Sequence, residues 1–294
     1  MVGGIGGCLA QRGARGVPSD ARLRARRCAV TALGIALEIT PPRERRPELL
    51  LRRARLLGGC ASSVHVIQRP ARQTSLEASI DLERAGISAV WHVTNRGRGA
   101  AEIEAEIERA ARSGLSAALV VRGESGPEDR KDTPALRTLV ARIRSALPGA
   151  RIGVTMNPYL EPERALPNLW PKLEAGATFV QTQPVFAAST LCGVGERIRQ
   201  RAPGVSILPM VIPIVSAVAA ERLALRLRLP LPGRFAATLA SGGEPGGWTL
   251  FSQTLRGLRG SGVADGLAVM TQEMDPPAAF AERIRLALRE SGWA

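Results

Sequence analysis

The chain has 294 residues, 45% of them hydrophobic, enough for two average domains or one large α/β barrel around a sizeable core. Its net charge of +14 is spread as arginine along most of the chain, with lysine only at Lys131 and Lys172. A scattered excess without a basic stripe or interleaved aromatics argues against nucleic-acid binding. Cys8, Cys28, Cys60 and Cys192 lie far apart with no CxxC pair. That spacing speaks against a zinc site, gives no disulfide framework and fits a reducing, cytoplasmic setting.

Residues 1–27 are rich in Gly and Arg and read as a disordered or flexible leader, with the folded domain running from 28 to 294. The stretch RARRCAVTALGIAL, residues 23–36, has the look of a twin-arginine signal. Its apolar part is too short for a membrane span, runs into Glu38 and lacks an A-x-A site, so it reads as the first buried strand.

From there, short β-rich runs alternate with amphipathic ones. The strand candidates are residues 31–39, 62–67, 87–93, 116–122, 151–156, 178–182, 205–212 and 266–270. Between them, AAEIEAEIERAARSG (100–114) repeats Ile103, Ile107, Ala110 and Ala111 at helical spacing and stops at Gly114. DTPALRTLVARIRSALPG opens on Asp132 as its N-cap, and PPAAFAERIRLALRESG has proline at its start and glycine at its end. Residues 228–247 are irregular and read equally as a mobile lid or as an extra helix with a flexible flank. Eight strand-helix repeats predict a (βα)8 TIM barrel in a single domain. An open doubly wound sheet is the alternative, but no GxGxxG sits at a strand-to-helix turn, and the early GGIGG lacks that context.

A barrel of this kind builds its site at the C-terminal ends of its strands. Polar residues gather there: Glu38, His92 with Thr94-Asn95-Arg96, Arg122-Gly123-Glu124, Asn157-Pro158-Tyr159 and Gln181-Thr182-Gln183. Each has a structural reading as well. Glu38 and Arg122 could form a rim ion pair, and His92, next to Trp91, could be a packed histidine. Gln181 and Gln183 share one strand face. With His65 and His92 the only histidines and no DxD or HxH spacing, the chemistry predicted is acid-base work and polar binding, with no metal.

In order along the chain, these residues resemble the methylenetetrahydrofolate reductases, from about residue 33 to about 275. The likeness is carried by Glu38-Ile39-Thr40-Pro41-Pro42, His92-Val93-Thr94, Arg122-Gly123-Glu124, Asn168, Lys172, Glu174-Ala175-Gly176-Ala177, Thr182-Gln183, Leu208-Pro209 and Pro213. The resemblance implies reduction of methylenetetrahydrofolate by hydride transfer from NAD(P)H through FAD. Glu38 would be the general acid, and Glu124 would contact folate and tune the flavin. His92, Arg122, Gly123, Glu124, Asn157, Asn168 and Lys172 would hold FAD, and Gln183 would hydrogen-bond the pterin and nicotinamide. The departures are Ile39 and Thr40 for two aromatics, Asn157 for an aromatic, Pro171 for an arginine and Met274 for another. Two alternatives remain open: a flavin-independent relative doing direct hydride or methyl transfer with a partner, and a non-enzymatic folate binder. A homo-oligomer is compatible with all three.

Because residues 1–27 show no strand or helix pattern, a truncation beginning near Ala29 should keep its far-UV dichroism and melting temperature. Loss of the cooperative melt would show that the leader belongs to the fold.

Overall fold

The computed structural model describes residues 34–123 and 130–294. The proposed leader, positions 31–33 of the first strand candidate and Glu124 lie outside the described residues. Eight parallel strands close into a barrel in sequence order: β1 (Gly34–Ile39), β2 (Ser63–Val66), β3 (Ala89–Thr94), β4 (Ala117–Val121), β5 (Arg151–Met156), β6 (Phe179–Pro184), β7 (Ser206–Val211) and β8 (Gly266–Met270). Around them run α1 (Pro47–Ala54), α2 (Ser75–Arg84), α3 (Ala100–Arg112), α4 (Leu136–Ala146), α5 (Pro162–Glu174), α6 (Ser189–Arg201), α7 (Ala217–Leu227), α8 (Gly233–Ser261) and α9 (Ala278–Glu290). No helix among the described residues is long and apolar enough to cross a membrane.

Strand alternation divides the apolar residues between two cores. Leu37, Trp91, Val93, Val180, Ile207 and Val269 meet the helices in the outer core. Ala36, Val90, Ala117, Leu119, Phe179 and Leu208 fill the barrel interior. Small and large residues face each other inside. A Cβ added at Gly153 would land within the Phe179 ring and 2.8 Å from Leu119 Cδ1. Glycine at this point lets Phe179 plug the barrel, and the polar residues of the site sit against that plug.

One local feature differs from expectation, and one settles a choice the sequence left open. Asp132 does not cap the helix that follows it, whose N-cap is Ala135. Its Oδ2 instead accepts the Ala100 N–H at 3.2 Å, at the start of α3, because an exposed N-terminus with no capping side chain of its own offers unpaired donors to any nearby carboxylate. Most of residues 228–247 is helix: α8 begins at Gly233 and bends at Gly243 (φ 50, ψ −138), two residues before Pro245. Beyond the bend, Trp248, Phe251 and Leu255 join the outer core, which anchors the segment.

Gly153→Ala should therefore destabilise the barrel by about 1–3 kcal/mol through overpacking. Denaturant unfolding would show it, and an unchanged midpoint would mean that Phe179 does not fill the barrel interior.

Candidate active site

Four polar side chains from four strands meet against the apolar plug, all buried: Glu38 on β1, His65 on β2, His92 on β3 and Gln181 on β6. Parallel pairing sets Glu38 opposite His65 in register, and Gln181 lies between Thr155 and Leu208. Gln181 bridges two of the others. Its Nε2 donates to Glu38 Oε1 at 2.5 Å, and its Oε1 lies 2.8 Å from His65 Nδ1. His92 Nε2 stands 3.8 Å from Glu38 Oε1, beyond hydrogen-bond reach.

The His92 position is fixed from behind. Ser75, at the start of α2, donates from Oγ to Val66 O at 2.6 Å and accepts the His92 backbone N–H at 2.8 Å. One hydroxyl thus ties the end of β2 to β3. Thr74 caps the same helix, with its Oγ1 accepting the Glu77 N–H and donating to the Glu77 carboxylate.

Burial dominates the electrostatics. It raises the Glu38 carboxyl to about 7, against the opposing effects of the Gln181 hydrogen bond and the Arg69 charge. Burial lowers His65 to about 4, and lowers His92 well below its ordinary range with a further push from His65. At neutral pH both imidazoles are neutral, and Glu38 is poised between its two forms.

Above Glu38 is a cavity of about 40 Å³ whose walls include Thr40, Arg53, Arg69, Met270 and Gln272. Arg53 closes the rim by pairing with Asp275 at 2.5 Å and donating to Thr40 O at 2.8 Å. Arg226, Gln272 and Glu273 are shared with a second, more open groove of about 300 Å³ that adds Arg222. A path with several arginines therefore leads outward from the acid.

The residues selected from sequence divide into two sets. Glu38 and His92 meet in the cluster. Gln183 lies on the same face of β6 as Gln181, and its buried Oε1 has no hydrogen-bond partner. Arg122 and Gly123 follow β4 directly, and Gly123 has a φ of 93°. Asn157 follows β5, where its Oδ1 accepts the Tyr159 N–H at 2.9 Å. Asn168 and Lys172 stand away from the strand ends, one turn apart on α5. Asn168 is exposed, and partial burial lowers the Lys172 ammonium.

Sequence reading missed the parts played by His65, Gln181 and Arg69. Period-two alternation already placed Gln181 on the Gln183 face, whereas His65 needed the β1–β2 register. Ligand atoms of Glu38, His65 and His92 also come within 4.8 Å of one another, close enough for a metal ion, which no HxH spacing could reveal. Gln181 already hydrogen-bonds two of the three, which makes the cluster a hydrogen-bonded network.

Fold and site together define a (βα)8 barrel with a buried acid of raised pKa at its strand ends. The chain belongs to the methylenetetrahydrofolate reductase family, whose model matches residues 24–242. No curated protein matches it. A solved structure of an uncharacterized protein from Clostridium thermocellum, which binds two copies of 5-methyl-5,6,7,8-tetrahydrofolic acid, is 15% identical. It has a TM-score of 0.62, with 92% of this chain and 98% of that chain covered. A Toxoplasma gondii chain assigned as a deoxyribose-phosphate aldolase is 13% identical at a TM-score of 0.48, covering 93% of this chain and 99% of that one. The family implies FAD. Of the residues given to it, His92 has a buried Nε2 with no hydrogen-bond partner, which suits a polar edge of a flat ring system, so this residue fits the group.

A carboxyl raised in the folded state favours folding where it stays protonated, and that contribution is lost as pH rises from the unfolded value of 4.5 to about 7. Glu38→Gln removes the ionisation. Relative to wild type, the variant should gain stability across this window by on the order of 3 kcal/mol. Melting curves at several pH values test this, and a constant difference would show that Glu38 is not held in its raised state.

Proposed function

We propose that this chain is a reductase of 5,10-methylenetetrahydrofolate in which Glu38 is the proton donor. The observation that carries the reading is the buried Glu38 carboxyl, raised to about 7 at the end of β1 and held by Gln181. A proton donor working near neutral pH needs that property. Membership of the family and the folate bound by the Clostridium thermocellum protein support a reduced folate as the ligand.

Glu38 gives its proton to N10 of the methylene-bridged folate. The N10–carbon bond breaks with its electron pair going to N10, and the carbon becomes an iminium on N5. Hydride addition at that carbon then yields the 5-methyl product. The carboxylate left behind is stabilised by the Gln181 N–H and by the Arg69 charge. By the family likeness His92, Arg122, Gly123, Glu124, Asn157, Asn168 and Lys172 would hold FAD, which would supply the hydride from NAD(P)H. Gln183 offers its unpartnered Oε1 to an N–H of the pterin. Arg222 and Arg226, in the outer groove, suit the acidic tail of folate.

One observation favours a flavin-free variant of this reading. Asn157, where the family has an aromatic, is folded back onto Tyr159 N and offers no ring to stack on a flavin. In that variant nicotinamide gives hydride directly, and Glu38 keeps its role.

An absorption spectrum after FAD addition and removal of excess separates the two: flavin bands that bleach with NAD(P)H and recover with methylenetetrahydrofolate are expected. A colourless protein that refuses FAD but still turns over folate would leave only direct transfer. Glu38→Gln should lower turnover by about 10²-fold or more while retaining folate binding. Wild-type turnover should decline above a midpoint of about 7, following the protonated acid. Full activity in the variant would remove Glu38 from the chemistry.

A further inference from the structure

Gln181 makes both of its contacts inside the barrel, one to Glu38 and one to His65, and its residue is 1% exposed. Its amide therefore has two ways to lie. In the first, His65 Nδ1–H donates to Gln181 Oε1, and Gln181 Nε2 donates to Glu38 Oε1. Any proton on Glu38 then sits on Oε2, the oxygen left for a substrate. In the second, His65 carries its proton on Nε2, the amide is turned over, and Gln181 Oε1 receives the O–H of Glu38 itself. The acid proton is then consumed within the barrel, and a carboxylate formed there would face a carbonyl oxygen.

We propose that His65 is a positioning residue which, through Gln181, keeps Glu38 in the first arrangement, with its proton on the oxygen that faces the substrate. This rests on the reading of Glu38 as proton donor. The imidazole is well placed for the task. Its register partner is Glu38, the Phe179 ring packs at 6.1 Å between centroids, and the His92 ring meets it edge-on at 6.0 Å and 77°. Neither ring brings a carbonyl or carboxylate to compete for Nδ1–H. The arrangement also serves the reaction after proton transfer, because an amide N–H already aimed at Glu38 meets the new carboxylate without rearrangement. The other charged or titratable groups acting on this pair are His92, Arg69 and Arg151, and all three are kept in the variants below.

With only two histidines in the chain, ¹⁵N NMR resolves both rings. His65 is expected with Nδ1 protonated and Nε2 bare, and the reverse tautomer overturns the proposal. The Glu38 carboxyl is then followed by ¹³C NMR titration. His65→Phe keeps the ring and frees the amide to turn, which should raise the Glu38 midpoint by about one pH unit. His65→Asn, whose side-chain N–H can stand in for Nδ1–H, should bring it back toward wild type. An unmoved midpoint in His65→Phe, or the same rise in both variants, overturns the proposal. Should His65→Phe fail to fold, the wild-type tautomer decides alone. Wild-type protein that turns over no folate would sink the donor reading without moving the tautomer or the midpoint, so the two failures are told apart.

Discussion

A carboxyl group shut inside the barrel mouth is the constraint to which the surrounding structure answers. The Glu38 side chain is 3% exposed, and an isolated carboxylate at such a site would be very unfavourable. The barrel meets this in two ways. Gln181 gives one oxygen a hydrogen bond, and burial shifts the remaining cost into protonation. Both depend on packing underneath. Phe179 fills the interior only because position 153 is glycine, and the polar layer rests on that apolar plug. A residue with no functional group thus helps set the acidity of one that has.

The proton also needs a reason to stay on Glu38, since two imidazoles lie close by. In water a histidine would take the proton from a glutamic acid. Here the order is inverted: Glu38 stands at about 7 and His65 at about 4. The two shifts run in opposite directions, and together they leave the proton on the carboxyl. Desolvation causes both shifts, because it penalises the charged form of an acid and of a base in opposite directions. A cluster of neutral acid and neutral imidazoles suits a proton donor, whereas a carboxylate-imidazolium pair would have spent the proton before a substrate arrived.

Much of this architecture was legible in the chain. Apolar runs such as those around Val90 and Val180 are too short for helices and are flanked by amphipathic segments, and eight of them in that grammar allow few folds besides a barrel. Glu38 was legible because an acid interrupting such a run before two prolines breaks the local pattern. Asp132 was misplaced because capping depends on which helix end lies nearby in space, here that of α3. His65 and Gln181 were under-read for the same reason. They are ordinary polar residues 116 positions apart, and their meeting across the barrel follows from closure and register, which one-dimensional spacing does not carry.

Closure also explains how the chain can depart from family sequence near the acid and keep an acid there. The residues after Glu38 are Ile39 and Thr40 where the family has aromatics. Ile39 is buried in the outer core, and the Thr40 carbonyl accepts from Arg53, whose guanidinium also binds Asp275 beyond β8. The loop after β1 is therefore held to the β8 side by a charged pair. Because the strands form a closed ring, holding β1 to β8 at the rim and to β2 through register leaves Glu38 little freedom to swing outward. The position of the acid is thus set by the ring as a whole, while the identity of the side chains around it can vary.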